Sequence, residues 1–440
     1  LFEKLFKLKE NKTTIRTEIL AGLTTFMTMA YIIVVNPGII SDTGMPFEGV
    51  MIATILSAAF ATLLMGLLAN YPFALAPGMG LNAYFTYSVV LGMGYSWQVA
   101  LGAVFLSGVI FILLSLFKVR EMIIDAVPLS VRFAISSGIG LFIAFIGLKN
   151  AGIIVADSAT FIKLGNITSG TALLAIIGLT ITGVLLSLKI RGGILYGILG
   201  TTLIGAIFFP ELAETRNTVL NPLAWISMPN WRSFGDIFMK LDIRGALNIG
   251  FFNIIFAFLF VDLFDTIGTL IGISERAGFL KNGKLERGTE ALLSDAVGTV
   301  AGSFLGTPTV TSYIESAAGV AYGGRTGLTA VSVAFFFLLS LFFSPLASVI
   351  PAAATSPALI VVGVMMMGNI GKIDWDDFSE ALPAFIAMVA MPFTFSIANG
   401  IALAFILYPI IKLVTGKGKD VHFLAYILCA LFIIKFAFLG

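Results

Sequence analysis

The sequence predicts an all-α membrane protein with fourteen transmembrane segments in two inverted repeats of seven, and three features carry that expectation. Of its 440 residues, 58% are hydrophobic and 11% charged, with mean hydropathy +1.02, whereas water-soluble domains are about a quarter charged. Apolar stretches close to the ~20 residues that cross a ~30 Å hydrocarbon core recur along the chain. One such stretch in each half is broken by proline and small polar residues.

The stretches fall near 15–36, 48–69, 72–90, 97–117, 130–148, 169–188 and 192–209, then near 246–272, 288–305, 308–322, 326–343, 346–367, 381–395 and 397–414. A further apolar segment, 423–439, contains Lys435, which argues against a simple lipid-facing span. Leu1–Arg16 holds five cations and no apolar run of its own, so it reads as a cytoplasmic lead-in and not as a cleavable signal. With the N-terminus inside, 19 of the 26 Lys and Arg fall on the inner side, as membrane proteins prefer. Six fall outside (Lys149, Lys163, Arg216, Arg232, Lys240 and Arg244), and Lys435 is unassigned. A multi-pass protein of the plasma membrane is expected, with the bilayer as its surrounding partner.

Between Phe209 and Arg244 the chain turns polar, with Pro210, Pro222, Pro229, Trp225 and Trp231, and this divides two sets of seven segments. An odd number in each set turns the second half upside down relative to the first. The interrupted runs Ala74–Tyr84 and Leu305–Glu315 are each third in their half. Pro77 and Pro308 stand 231 residues apart, and the same offset from Ile15 reaches 246, where the eighth segment begins. Backbone freed by such breaks survives in a bilayer only where protein or a wet cavity satisfies it. Two short extended stretches are therefore expected at spans 3 and 10, with a binding site between them near the midplane.

The composition narrows the chemistry. A single cysteine, Cys429, and a single histidine, His422, exclude disulfide frameworks, zinc clusters and Ser-His-Asp triads. No metal, cofactor or enzyme activity is expected. A net charge of +2 provides no reason to expect nucleic acid as a partner. What remains is carboxylates, amides and hydroxyls. In the eighth span Asp262, Asp265 and Thr269 fall within about 60° of one another around a helix, making one polar stripe. A carboxylate costs about 2.5–3.5 kcal/mol at the centre of a membrane helix on insertion scales, so two of them point to a function. Glu315 follows the second break and Asn82 the first, and both are expected to point into the gap, with Gly80 and Tyr313 beside them. Asp295, on the ninth span, reads as a carboxylate bonded to the broken segment.

No Lys or Arg occurs in the eighth span or the interrupted runs between them, which disfavours an anionic ligand held by a side-chain charge. A carboxylate's two acceptor oxygens suit a neutral planar heterocycle with adjacent N–H donors, or a cation. Tyr313, Phe85 and Phe258 could flank such a ring. Two further motifs are decoys. Gly78-Met-Gly80-Leu-Asn-Ala83 has dinucleotide-fingerprint spacing but no βαβ unit around it. Gly278-Phe-Leu-Lys-Asn-Gly283-Lys284 has Walker-like spacing, yet Leu285 stands where Mg²⁺ chemistry needs Ser or Thr.

At these residues the sequence resembles the nucleobase-ascorbate/nucleobase-cation symporter-2 superfamily, and more closely its AzgA-like branch of adenine, guanine and hypoxanthine permeases. Gly22-Leu-Thr-Thr-Phe, Ala76-Pro-Gly-Met-Gly-Leu-Asn-Ala, Phe260-Val-Asp-Leu-Phe-Asp-Thr-Ile-Gly-Thr and Thr311-Ser-Tyr-Ile-Glu-Ser carry the likeness. The resemblance implies a core domain of spans 1–4 and 8–11 (here 15–118 and 245–343). It implies a gate domain of spans 5–7 and 12–14 (119–210 and 344–422) and a homodimer through the gate, with 423–440 read as a separate C-terminal hydrophobic segment. It also implies purine contact by Asn82, Asp262, Asp265 and Glu315, with Asp265 and Glu315 coupling a proton. Uracil and xanthine branches carry Glu at the position of Asp265 and a polar or ionisable group at that of Thr269, so the Asp and Thr here set this chain apart. The expected function is proton-coupled import of a purine base by alternating access. An ion exchanger or channel on the same architecture is the competing expectation.

Overall fold

The computed structural model describes residues 2–117, 127–209, 213–249, 254–281 and 284–438. The domain boundaries expected at 118/119 and 210, the cations Lys118 and Arg120, and the centre of the Walker-like run lie outside the described residues, as does the Lys435 side chain.

In the first half α1 (Ile15–Met29) leads through a short turn into α2 (Ile32–Ile40). There follow α3 (Phe47–Leu64), β1 (Leu75–Pro77), α4 (Met79–Ala83), α5 (Trp97–Leu116) and α6 (Leu129–Asn150). An exposed hairpin of β2 (Ile154–Asp157) and β3 (Phe161–Leu164) precedes α7 (Gly170–Ser187) and α8 (Gly193–Phe208). The second half comprises α9 (Phe256–Ala277), the two-residue strands β4 (Leu280–Lys281) and β5 (Lys284–Leu285), and α10 (Gly288–Leu305). It continues with β6 (Val310–Ser312), α11 (Ser316–Tyr322), α12 (Gly327–Ser340), α13 (Ala352–Met366), α14 (Phe378–Phe393), α15 (Ile397–Val414) and α16 (Phe423–Phe438).

Several helix starts follow from local chemistry. Thr14, Ser96 and Ser396 cap α1, α5 and α15 by accepting from the amides of Thr17, Val99 and Asn399. Among the described residues eight helical stretches are long and apolar enough to cross a membrane. The helices Gly193–Phe208, Phe378–Phe393 and Phe423–Ile434 are apolar but shorter. The runs at 72–90, 246–272, 288–305 and 308–322 are in neither group, and those at 72–90 and 308–322 each open as a strand.

Contacts between helices recur in exchanged pairs. α3 packs on α12 as α5 does on α10, and α1 on α11 as α4 does on α9. In a second group α6 packs on α14 as α7 does on α13, and α7 on α8 as α14 does on α15. α6 and α13 join the halves of that second group. The segment after residue 422, for which the expectation was open, packs against α15 as helix α16. Its buried Phe432 stands 5.5 Å from Phe256, 6.2 Å from Phe260 and 6.0 Å from Phe405 between ring centroids, so it touches both α9 and α15.

Candidate functional site

The two broken spans meet as an antiparallel ribbon, Leu75 opposite Ser312, Ala76 opposite Thr311 and Pro77 opposite Val310. Gly78 N donates to Thr309 O at 2.9 Å and Tyr313 N to Ala74 O at 3.0 Å, extending the pairing at both ends. A bilayer cannot satisfy the two outer edges of such a ribbon. A threonine does so on each side. Thr62 Oγ1 donates to Leu75 O and accepts from Leu75 N, both at 2.9 Å. Thr299 Oγ1 donates to Val310 O at 3.1 Å and accepts from Val310 N at 3.2 Å. The strands start 235 residues apart rather than the 231 read from the prolines. Pro77 ends its strand while Pro308 precedes the other, so the two prolines are not structural equivalents. Proline marks a break in a helix without fixing on which side of it the strand lies.

Against this ribbon lies a cavity of about 70 Å³, small beside the ~300–1,000 Å³ usual for small-molecule sites. One wall is made by Gly78 and Gly80 after β1, by Asp265 and Thr269 of α9, and by Thr311 to Glu315 with Tyr31. The opposite wall is Ser136 of α6, Val362, Met365 and Met366 of α13, and Asn369 just beyond. Among the described residues no Lys or Arg lines it. Gly78 lets the ribbon approach α9, since a Cβ there would stand 2.7 Å from Thr311 Cγ2 and 3.3 Å from Asp265 Oδ2.

The structure thus brings Asp265, Thr269, Glu315, Gly80 and Tyr313 to one cavity. Glu315 is 7% exposed, and its Oε1 accepts from Tyr31 Oη at 2.5 Å. Tyr313 donates its hydroxyl to Pro77 O, bridging β6 to β1. Thr269 spends its hydroxyl proton on its own helix, at Asp265 O (2.8 Å) and Thr266 O (3.0 Å), and keeps lone pairs for the cavity.

Asp262, Asp295 and Asn82 are fully buried and do not line the cavity. The stripe read from α9 is wider than expected, because Thr266 belongs to it and stands about 100° around the helix from Asp265. One edge, Asp265 and Thr269, faces the cavity. The other edge is buried: Thr266 faces α10 and the ribbon, and Asp262 lies one turn before it. Thr266 Oγ1 lies 3.0 and 3.1 Å from the two Asp295 carboxylate oxygens, 3.4 Å from Asp262 Oδ1 and 2.9 Å from Thr311 Oγ1. Asp295 is thereby linked to the broken segment through two threonines. Asn82 sits on α4, and among the described residues neither of its amide atoms has a hydrogen-bond partner. Phe85 and Phe258 pack on each other, 6.5 Å between centroids, and only Tyr313 of the three expected rings lines the cavity.

A second cavity, about 320 Å³, shares Ile314, Glu315 and Met365 with the first and is otherwise lined by Thr28, α11 and the segment joining α7 to α8. Glu315 therefore stands in a wall common to both. Among the described residues no group of three His, Cys, Asp or Glu could hold a metal ion. The residues missed by sequence reasoning are Tyr31, Ser136 and Asn369. Tyr31 carried a usable signal, since a tyrosine inside an apolar span needs a partner for its hydroxyl; Ser136 and Asn369 carried none.

Residues 16–403 match the Permease family (Xan_ur_permease). The chain is 54% identical over 443 residues to a putative permease of Methanocaldococcus jannaschii, covering 100% of this chain and 98% of that protein. It is 46% identical over 440 residues to the adenine permease AdeP of Escherichia coli, covering 100% and 96%. It is also 46% identical over 439 residues to the guanine/hypoxanthine permease PbuO of Bacillus subtilis, covering 98% and 99%. Of solved structures, the transmembrane domain of the cyanobacterial bicarbonate transporter BicA has a similar fold, with TM-score 0.62 at 16% identity over 88% of this chain and 97% of that one. SLC26A9 follows with TM-score 0.59 at 12% identity over 94% and 67%. These two likenesses concern the fold alone.

Proposed function

Because the chain belongs to the Permease family, and within it to the AzgA-like purine permeases of the nucleobase-cation symporter-2 superfamily, we propose that it imports hypoxanthine, guanine or adenine by proton symport through alternating access. It is a multi-pass membrane permease and not an enzyme. Fourteen segments in two inverted repeats form the architecture of this reading, which the exchanged helix contacts and the paired threonines support. The core domain (15–118 and 245–343) holds the ribbon and α9. The gate domain (119–210 and 344–422) supplies α6 and α13. The N-terminus is cytoplasmic, and a homodimer forms through the gate.

The observation that carries the reading is that two acids from separate spans, Asp265 and Glu315, line one cavity with no basic residue among its described lining. A purine's N–H groups donate to these carboxylates, and hydrogen bonds to a charged acceptor contribute about 1.5–3 kcal/mol each. Val362, Met365 and Met366 offer apolar surface to the ring. Ser136 and Asn369 can donate to the acceptor edge that carboxylates cannot serve. Asp262 and Asn82 support the site from behind the cavity wall. The lack of Lys and Arg among the described lining residues disfavours the bicarbonate named for BicA.

A carboxylate in a low-dielectric pocket can bind a proton near neutral pH. With Asp265 or Glu315 protonated and the other binding the base, the loaded site carries less charge past the gate. The second cavity lies beside the α7–α8 connection, whose Lys189 and Arg191 belong on the inner side, so Glu315 can return its proton there. Uptake of radiolabelled hypoxanthine into proteoliposomes tests the function, with competition by adenine, guanine, xanthine and uracil at two pH values. Purine competition and acceleration by an inward proton gradient are expected. Ion flux indifferent to hypoxanthine would establish the ion-exchanger reading instead.

A further inference from the structure

Glu315 opens α11, yet its carboxylate is held from α1. Tyr31 lies in the turn between α1 and α2, is fully buried, and donates its hydroxyl to Glu315 Oε1 across 284 positions of sequence. The two helices can lie this close because Gly319, one turn beyond Glu315, has no side chain. A Cβ there would stand 2.1 Å from Thr25 Oγ1 and 2.7 Å from Ala21 O of α1. Tyr31 and Glu315 both line the cavity between ribbon and α13, and Glu315 also lines the second cavity.

We propose that Tyr31 is a positioning residue for Glu315: it holds Oε1 and so presents Oε2 to the substrate, in the wall that the two cavities share. A carboxylate has two acceptor oxygens, and occupying one of them fixes the plane of the group for a bonded base. A phenolic hydroxyl both donates and accepts. It donates to the carboxylate and accepts from the protonated acid, so one contact serves both states. The proton can then arrive and leave without the carboxyl group swinging away. Its consequence for transport rests on the purine-symport reading above; the hydrogen bond itself does not.

Tyr31→Phe removes one oxygen and keeps the ring. Hypoxanthine binding to the purified protein in liposomes is measured for Tyr31→Phe, Glu315→Gln and the double variant. Tyr31→Phe should weaken binding about tenfold in the native background and about twofold or less beside Glu315→Gln, the non-additivity expected of one coupled pair. Infrared difference spectra provide a readout independent of the ligand. The protonated-carboxyl stretch that disappears in Glu315→Gln should move to higher frequency in Tyr31→Phe. Equal losses in both backgrounds, or a stretch that stays in place, would overturn the assignment. Native protein that binds no purine, with the stretch still moved to higher frequency in Tyr31→Phe, would refute the transport reading and leave the positioning role standing.

Discussion

The ribbon that builds the cavity depends on two hydroxyls, and removing one isolates its contribution. Thr299→Val keeps the shape of the side chain and deletes the oxygen that bonds both Val310 N and Val310 O. Val310 and Thr299 are fully buried, so no water replaces the lost partner. Each buried polar group left unsatisfied costs about 1–3 kcal/mol, and two such groups together about 2–6 kcal/mol. Thr299→Ser keeps the hydroxyl and loses one methyl, worth about 0.8 kcal/mol. Thermal midpoints of the detergent-solubilised variants should therefore fall in the order native, Ser, Val. Thr62→Val and Thr62→Ser should repeat that order through Leu75. Because β6 carries the chain into Tyr313 and Glu315, hypoxanthine KM should rise with the valine variants and little with the serines. A valine variant no less stable than its serine counterpart would show that the hydroxyls do not hold the ribbon.

Asp265→Asn and Glu315→Gln each replace an acceptor oxygen by a donor at the cavity wall, and hypoxanthine binding should weaken about tenfold or more. Unchanged binding by both would remove these residues from the site. Gly80→Ala places a Cβ 2.6 Å from Ile139 Cγ2 of α6, an overlap costing about 1–3 kcal/mol. Uptake should fall, and Ile139→Ala in the same chain should restore part of it; a double variant as slow as Gly80→Ala alone would disprove the clash. In the β2–β3 hairpin the Lys163 ammonium and the amides of Ala159 and Thr160 hold Asp157 down to about 2, from an ordinary 3.8. A lowered value stabilises the fold at pH above the ordinary one and loses that stabilisation as pH falls through the lowered one. Hydrogen exchange at the Ala159 and Thr160 amides, corrected for intrinsic rate, should therefore speed up between about pH 4 and pH 2. Constant protection over that window would contradict the assignment.

Much of the site was legible in single residues. Asp265 and Glu315 stand out because an acid inside an apolar segment is costly wherever it goes. The breaks at Pro77 and Pro308 stand out because proline and glycine interrupt a helix that hydropathy otherwise demands. The finer arrangement was not legible. Asp262 and Asp265 are three positions apart and equally acidic, yet Asp265 lines the cavity and Asp262 is buried away from it, a distinction set by which neighbour covers which edge of α9. The prolines suggested an offset of 231, whereas hydrogen bonding pairs strands offset by 235.

From the order of residues alone came the membrane setting, the two broken spans and the acids beside them, because hydration cost and backbone geometry are properties of a local segment. Tertiary structure alone decided that Tyr31 meets Glu315, that Thr62 and Thr299 close the ribbon, and that Ser136 and Asn369 form the facing wall. Those contacts join segments up to 284 residues apart. The chain encodes them only through the close packing of helices, which no local pattern of side chains reports.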